Sequence, residues 1–192
     1  MIQNNEDLIF YLREDKRALG MSAKIRPRLV GDDIWKFEII LRKYEYYKNT
    51  NKKNIYHNVM MFIYKYLHYR IGVKLGFSIP VNTFGYGLRI NHHGLLVVNA
   101  DARIGNNCDV HQGVNIGQGS RKDDVPRLGD NIWIGPGAKI FGKINIADNI
   151  SIGANSIVNK SFEEKDITIA GVPAKKIKDK GTSEMESAKD FK

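Results

Sequence analysis

Residues 128–158 read LGDNIWIGPGAKIFGKINIADNISIGANSIV, and an aliphatic side chain returns at every sixth position: Leu128, Ile134, Ile140, Ile146, Ile152 and Val158. The same phase runs back through Ile116, Val110, Ile104 and Val98, with a single twelve-residue gap between Ile116 and Leu128. A period of six fits neither a free helix nor a hairpin sheet. It predicts a parallel β-helix in which each hexad is one flat side and its first residue points into the prism. Gly105, Gly117, Gly129, Gly135 and Gly153 follow grid residues, and Asn106, Asn131, Asn149 and Asn155 fall near the expected corners. Both residue types tolerate tight, often left-handed turns. Leu88 and Ile90 carry the pattern backwards, with two extra residues before the Val98 side, and Pro80 marks its beginning. Gln118–Arg127, holding Gly119, Asp123, Asp124 and Pro126, cannot form a side and should project as a loop.

Outward from the prism, residues 1–76 read as helical. Asp7, Leu8, Phe10, Tyr11 and Leu12 suit a first helix ending by Gly20, and Arg26-Pro27-Arg28 breaks the pattern. Asp32-Asp33 can cap a second helix entering at Ile34-Trp35, which Phe37, Ile40, Leu41, Tyr44 and Tyr47 continue at helical spacing. Lys48–Lys53 reads as a polar loop. A third helix over about Ile55 to Leu75 sets Val59, Phe62, Ile63, Tyr66, Leu67 and Ile71 on one face, where packing is the expected role of its tyrosines. The fold class is therefore mainly β, a prism over 77–178 preceded by an α-helical domain over 1–76, with a polar tail over 179–192 expected to be disordered. The helical domain should cap the first coil and the Pro173 segment should fold over the last, since open solenoid ends need caps.

The polar start (Gln3, Asn4, Asn5, Glu6, Asp7) does not read as a signal peptide, and the longest apolar run, Val59 to Tyr64, is far short of the roughly 20 residues a membrane helix needs. Cys108, the single cysteine, lies at an inward position and reads as a core residue in a reducing cytoplasm. Residues 1–76 hold 15 Lys/Arg against 8 Asp/Glu, whereas 77–192 hold 15 against 13. A basic N-terminal half points to an anionic partner, a phosphate-bearing substrate or an acidic membrane surface, or else to an ordinary solvated helical surface. No nucleic-acid partner is expected.

Three histidines fall in the prism: His92, His93 and His111. With three sides per coil, the Ile90 and Val110 sides are stacked neighbours about 4.8 Å apart, which brings His92 and His111 together. An imidazole near its ordinary pKa can take a proton from a hydroxyl acceptor. A tetrahedral metal site needs about three ligands, and no metal is expected. Gly117-Gln118-Gly119 lacks the strand–turn–helix setting of a dinucleotide loop.

The hexad grid, the His92 segment, the projecting loop and the closing Ile169-Ala170-Gly171-Val172-Pro173-Ala174-Lys175 resemble the hexapeptide-repeat acyltransferases with a left-handed β-helix, in particular the serine acetyltransferase-like group. The resemblance covers roughly 77–178. It implies an acetyl-CoA-dependent homotrimer, with the cofactor between neighbouring prisms and a histidine that deprotonates the acceptor hydroxyl for direct attack on the thioester. Carried over, the catalytic histidine is His92, with Asn91, His93, His111, Gln112 and Asp124 on the acceptor side. The cofactor strip would include Gly117, Ala138, Ser156, Lys160 and Lys175, mostly through backbone groups, with the lysines facing the CoA phosphates. Backbone donors near Gly113 or Gly117 would hold the oxyanion.

The departures narrow the acceptor. The aspartate that orients the histidine in serine acetyltransferases aligns with Phe77, and the one that meets the serine ammonium aligns with Asn91. The Arg-His pair that grips the serine carboxylate becomes Asp124-Val125. Each lost charged contact costs about 1.5–3 kcal/mol. Arg26-Pro27-Arg28-Leu29 with Trp35-Lys36-Phe37, and the run Gly87-Leu88-Arg89-Ile90-Asn91-His92-His93-Gly94, are similar instead to relatives that O-acetylate sugars of capsule and lipopolysaccharide precursors. The expectation is a cytoplasmic sugar O-acetyltransferase, with peripheral contact to an anionic membrane or lipid-linked acceptor. Serine acetylation is the first alternative and a non-catalytic trimeric scaffold the second.

Overall fold

The computed structural model describes residues 1–50 and 54–182. Three helices, α1 (Asn5–Ala18), α2 (Asp33–Thr50) and α3 (Ile55–Leu75), precede the strands. These are β1 (Phe77–Ser78), β2 (Arg89–Ile90), β3 (Leu96–Val98), β4 (Arg103–Ile104), β5 (Asp109–Val110), β6 (Asn115–Gly117) and β7 (Arg127–Leu128). They continue as β8 (Trp133–Ile134), β9 (Lys139–Phe141), β10 (Asn145–Ile146), β11 (Ser151–Ile152), β12 (Ile157–Val158), β13 (Thr168–Gly171) and β14 (Ala174–Lys178). Side one of the prism stacks β2, β5, β8, β11 and β13, side two β1, β3, β6, β9 and β12, and side three β4, β7 and β10. Every pairing within a side is parallel, and the whole winds as a left-handed β-helix.

The grid residues stack in register: Ile90 on Val110 on Ile134 on Ile152 on Ile169 along side one, all buried. A second inward column stands two positions before the grid, of which the sequence pointed only to Cys108. It comprises Ala102, Cys108, Val114, Ile132, Ala138, Ile144, Ile150 and Ser156, all buried. Between sides three and one the corners are an asparagine ladder. Asn107, Asn131 and Asn149 have φ of +55°, +56° and +60°, and each side chain bonds the next at 3.0 and 2.8 Å. Asn107, not the expected Asn106, takes the left-handed turn, while Asn106 bonds Asp130. Between sides one and two Gly113 (φ +77°) is required twice over, because a Cβ there would stand 3.2 Å from the Gly137 backbone.

The helices follow expectation in position but not in packing. Asp32 (φ +52°) does not cap α2 with its side chain; it accepts from Lys24 Nζ at 2.8 Å and Arg28 N at 3.0 Å, tying down the strap between α1 and α2. Helix α2 continues through Thr50, inside the expected polar loop, whose residues 51–53 lie outside the described residues. Most of the α3 face expected to pack does not: Val59, Phe62, Ile63, Tyr66 and Leu67 are exposed, Ile71 alone of that face packs against the core, and full burial falls on His57, Gly72 and Leu75. No helix of the described residues is long and apolar enough to cross a membrane.

At the other end, β14 folds back antiparallel on β13, so the Lys175, Lys176, Lys178 run is a strand rather than the start of a tail. The disorder expected over 179–192 does not hold for its first four residues. Thr168 Oγ1 donates to Lys180 O at 2.6 Å, and Thr182 N–H donates to Asn149 O at 3.2 Å. Residues 183–192 lie outside the described residues.

Four buried charged side chains join the helices to the first coil. Arg42 bonds Asp15 Oδ2 at 2.7 Å and Glu45 Oε2 at 3.0 Å, and donates to Phe84 O at 3.1 Å and Gly85 O at 2.5 Å. The carboxylates serve the coil's amides. Asp15 accepts from Leu88 N at 2.9 Å, Glu45 from Asn82 N at 2.7 Å and Glu38 from Ile90 N at 3.3 Å. Burial, and then the neighbouring Asp15, push the Glu38 carboxyl well above its usual range. Arg42→Ala, which strands those buried acids, should cost about 3–5 kcal/mol in urea unfolding. A raised native pKa favours the protonated form on folding, so Glu38 should lose native stability as pH rises through its usual range and beyond. Glu38→Gln keeps the acceptor for Ile90 N and removes the titration. Its stability relative to the parent should therefore be higher at about pH 8 than at about pH 4.

Candidate active site

The edge between sides one and two gathers the histidine segment. Arg89 pairs with Asp109 and Ile90 with Val110, and Asn91 N–H donates to Val110 O at 3.0 Å. That register sets Asn91 beside His111 and His92 beside Gln112. The fit is close: a Cβ on Gly94 would come 3.3 Å from Gln112 Cβ. His92 and His93 are exposed on the turn that leaves β2.

Asp109, which the sequence reading passed over, is the buried centre of the cluster. Its Oδ1 accepts from Asn91 Nδ2 and stands 3.8 Å from His111 Nδ1, while Oδ2 lies 3.9 Å from Arg89 Nε. His111 Nδ1 is also 3.0 Å from Ile134 O. A carbonyl oxygen only accepts, so Nδ1 carries the hydrogen and Nε2 is the basic nitrogen. The His111 ring rests on Trp133 at 4.9 Å. Gln112 Oε1 is buried and accepts no hydrogen bond among the described residues, an acceptor that a ligand donor can satisfy. The side chain of Lys139, also unforeseen, reaches Gly113 O at 2.5 Å. Asp109 had a legible signal in the register, because the six-residue grid already stacks position 109 on Arg89 beside the histidines.

The remaining expected residues divide between two edges. Ala138 and Ser156 belong to the second inward column, so their side chains face the core, and Ser156 Oγ accepts from Gly171 N at 3.2 Å. Only their backbone can meet a cofactor. Lys175 pairs with Ala170 in the closing hairpin. Gly117 ends β6 and Lys160 follows β12, both toward the edge between sides two and three, where Lys160 Nζ lies 5.3 Å over the Phe162 ring.

The projecting loop rises from that same second edge. Asp124 O accepts from Gly119 N at 2.7 Å and its Oδ2 from Arg121 N at 3.3 Å, so the carboxylate closes its own loop. Asp124 thus stands at the edge of side two opposite to the one that carries His92 of the same chain. Gly113, a candidate oxyanion donor, is also engaged, donating its N–H to Leu95 O at 2.6 Å. Among the described residues no group of three His, Cys, Asp or Glu side chains could hold a metal ion.

No protein-family model matches the chain. It is 37% identical over 107 residues to a serine acetyltransferase of Staphylococcus xylosus, a match covering 53% of this chain and 48% of that protein. It is 34% identical over 100 residues to one of Synechococcus elongatus, covering 51% and 41%. The chain therefore spans about half the length of the relatives it matches. Among solved structures, serine acetyltransferase from Brucella abortus strain S19 superposes with a TM-score of 0.71 at 27% identity, covering 93% of this chain and 72% of that one. The same enzyme in complex with coenzyme A gives 0.70, covering 92% and 70%. The chain resembles the serine acetyltransferase-like hexapeptide-repeat transferases in fold as well as sequence.

The carbonyl behind His111 makes a definite prediction. Heteronuclear NMR at neutral pH should show its imidazole as the Nδ1–H tautomer. Imidazole signals averaging both tautomers there would contradict the contact with Ile134 O.

Proposed function

We propose that this chain is an acetyl-CoA-dependent O-acetyltransferase that works as a cytoplasmic homotrimer on a sugar hydroxyl of a capsule or lipopolysaccharide precursor. The observation that carries the proposal is the first edge itself, where the register sets the exposed His92 beside Gln112, whose buried amide oxygen accepts no hydrogen bond among the described residues. In this reading His92 takes the proton from the acceptor hydroxyl as its oxygen attacks the thioester carbonyl. The C–O bond forms, the C–S bond breaks, and the imidazolium returns its proton to the departing thiolate. Coenzyme A in the matched Brucella structure supports acetyl-CoA as the donor. Ala138 and Ser156 would meet it through backbone groups, and Lys160 and Lys175 through charge.

Assembly completes the site. His92 and the Asp124 loop lie on opposite edges of side two, so a neighbouring copy would bring its loop edge to this chain's histidine edge. The exposed apolar face of α3, with Phe62 at 69% and Val73 at 65% accessible, supports a further contact of this kind. That helix holds Lys65, Arg70 and Lys74 and no acidic residue, which also suits contact with an anionic membrane or a lipid-linked acceptor.

Two features favour a sugar over an amino acid. Asn91 is neutral and its amide is committed to Asp109, and the loop offers Asp124 where a carboxylate would need a cation. Serine acetylation remains the second reading, favoured by the names of the relatives and by the Asp109 carboxylate next to Asn91.

Thiol release from acetyl-CoA decides between them. A hydroxylated glycan, free or nucleotide-linked, should saturate the enzyme while serine gives only feeble release. Saturable serine turnover with no glycan competing would overturn the sugar reading. His92→Ala should lower turnover by about 10²–10⁴-fold with acetyl-CoA binding retained. Sedimentation should give about three times the 21.8 kDa chain mass, and an active monomer would remove the shared site.

A further inference from the structure

A cleft opens beside the His92 turn, between the strap joining α1 to α2 and the first coil. Its volume is about 420 Å³, within the roughly 300–1,000 Å³ common for small-molecule sites. The floor is apolar: Leu19, Met21, Ile34 and Trp35 contribute from the helical side and Ile90 from the coil. The polar lining is Asp33, Arg89, Asn91 and His93 with the neighbouring Asp32. Two of these residues flank His92. The cleft therefore lies next to the candidate base in the chain, with Asn91 and His93 in its lining and His92 on the exposed turn between them.

We propose that this cleft seats the acceptor as a pyranose ring, lying on the Met21–Ile34 floor with its hydroxyls toward Arg89, Asn91 and Asp33. This rests on the acetyl-transfer reading given above and names where the acceptor sits. A pyranose has one apolar C–H face and a belt of hydroxyls that both donate and accept. The cleft offers that pair of surfaces, with the Asp33 carboxylate and the Asn91 amide oxygen to accept and the Arg89 guanidinium to donate. Its volume far exceeds what an amino acid as small as serine fills.

The strap is held for the task. Asp32 takes Lys24 Nζ at 2.8 Å and Arg28 Nη2 at 3.1 Å, and Asp33 is drawn toward Lys36 Nζ at 3.4 Å and Lys74 Nζ at 3.5 Å. A wall fixed before the ligand arrives spares the ordering cost of binding. The strap and Arg89 are thereby specificity-determining, distinct from the proton-transfer group.

Ligand-detected NMR on the full chain tests the assignment, using methyl glucoside, methyl galactoside, methyl N-acetylglucosaminide and serine as probes. At least one pyranoside should bind. Met21→Trp, which fills the floor, should weaken it tenfold or more, and Arg89→Gln should weaken it several-fold. Acetyl-CoA affinity should stay unchanged in both and the thermal transition in Met21→Trp, and Ile25→Ser, on the outer surface of the strap, should change nothing. The proposal is overturned if no pyranoside binds, if Met21→Trp and Arg89→Gln both bind it undiminished, or if serine alone binds. Thiol release separates this failure from that of the acetyl-transfer reading. Pyranoside turnover indifferent to Met21→Trp sinks the cleft and spares the chemistry. Cleft-dependent binding without release of thiol from acetyl-CoA sinks the chemistry and spares the cleft.

Discussion

An open coil of a parallel β-helix ends in backbone amides and carbonyls with no strand beyond them, and the structure rests on how this chain answers that. Arg42 supplies donors to Phe84 O and Gly85 O, while Asp15, Glu38 and Glu45 supply acceptors to Leu88, Ile90 and Asn82. One cation and three acids, all buried, thus stand in for a missing coil. Their hydrogen bonds to fixed backbone atoms, beyond their mutual attraction, make so much buried charge tolerable. The same contacts set the height and angle of α1 and α2 over β2. Through them the strap is placed against Arg89 and Asn91.

Everything along the prism then follows from strict stacking. Because each side repeats in register, a residue on one coil is bound to meet its counterpart on the next, and a chemically useful cluster needs only suitable residues in one outward column. The first edge uses this: Asn91, His111 and Asp109 meet through adjacent rungs, and His92 and Gln112 through the turns that follow. The cost of that economy is that a single chain spreads its functional groups over two edges of side two. The projecting loop and Lys160 belong to the edge that the histidines do not occupy, which is why the proposed site draws on a second copy. The cleft beside the His92 turn, in contrast, draws on the helical cap, which does not repeat.

Much was legible in the sequence because the β-helix is a local code. The hexad grid alone yields the sides, one of the two inward columns, the projecting loop and the stacking of the Ile90 and Val110 rungs, each depending only on spacing along the chain. The closing Gly171–Lys175 turn and the three helices were legible for the same reason. Side-chain commitment was not, since it depends on residues distant in sequence. The hydrogen bonds that join Asn91 to Asp109 and Ser156 to Gly171 appear only when neighbouring coils are in place, whereas those of Asp124 stay within its own loop. The apolar periodicity of α3 marked a face correctly and assigned it wrongly to the interior, because a stripe reports that something covers it and not what. Burial of Arg42 among three acids, and the cleft under the strap, were decided by tertiary structure alone. They join residues of the helical cap to coil atoms that no periodicity relates to them, and the gain from desolvated, paired charge exists only after the two parts have docked.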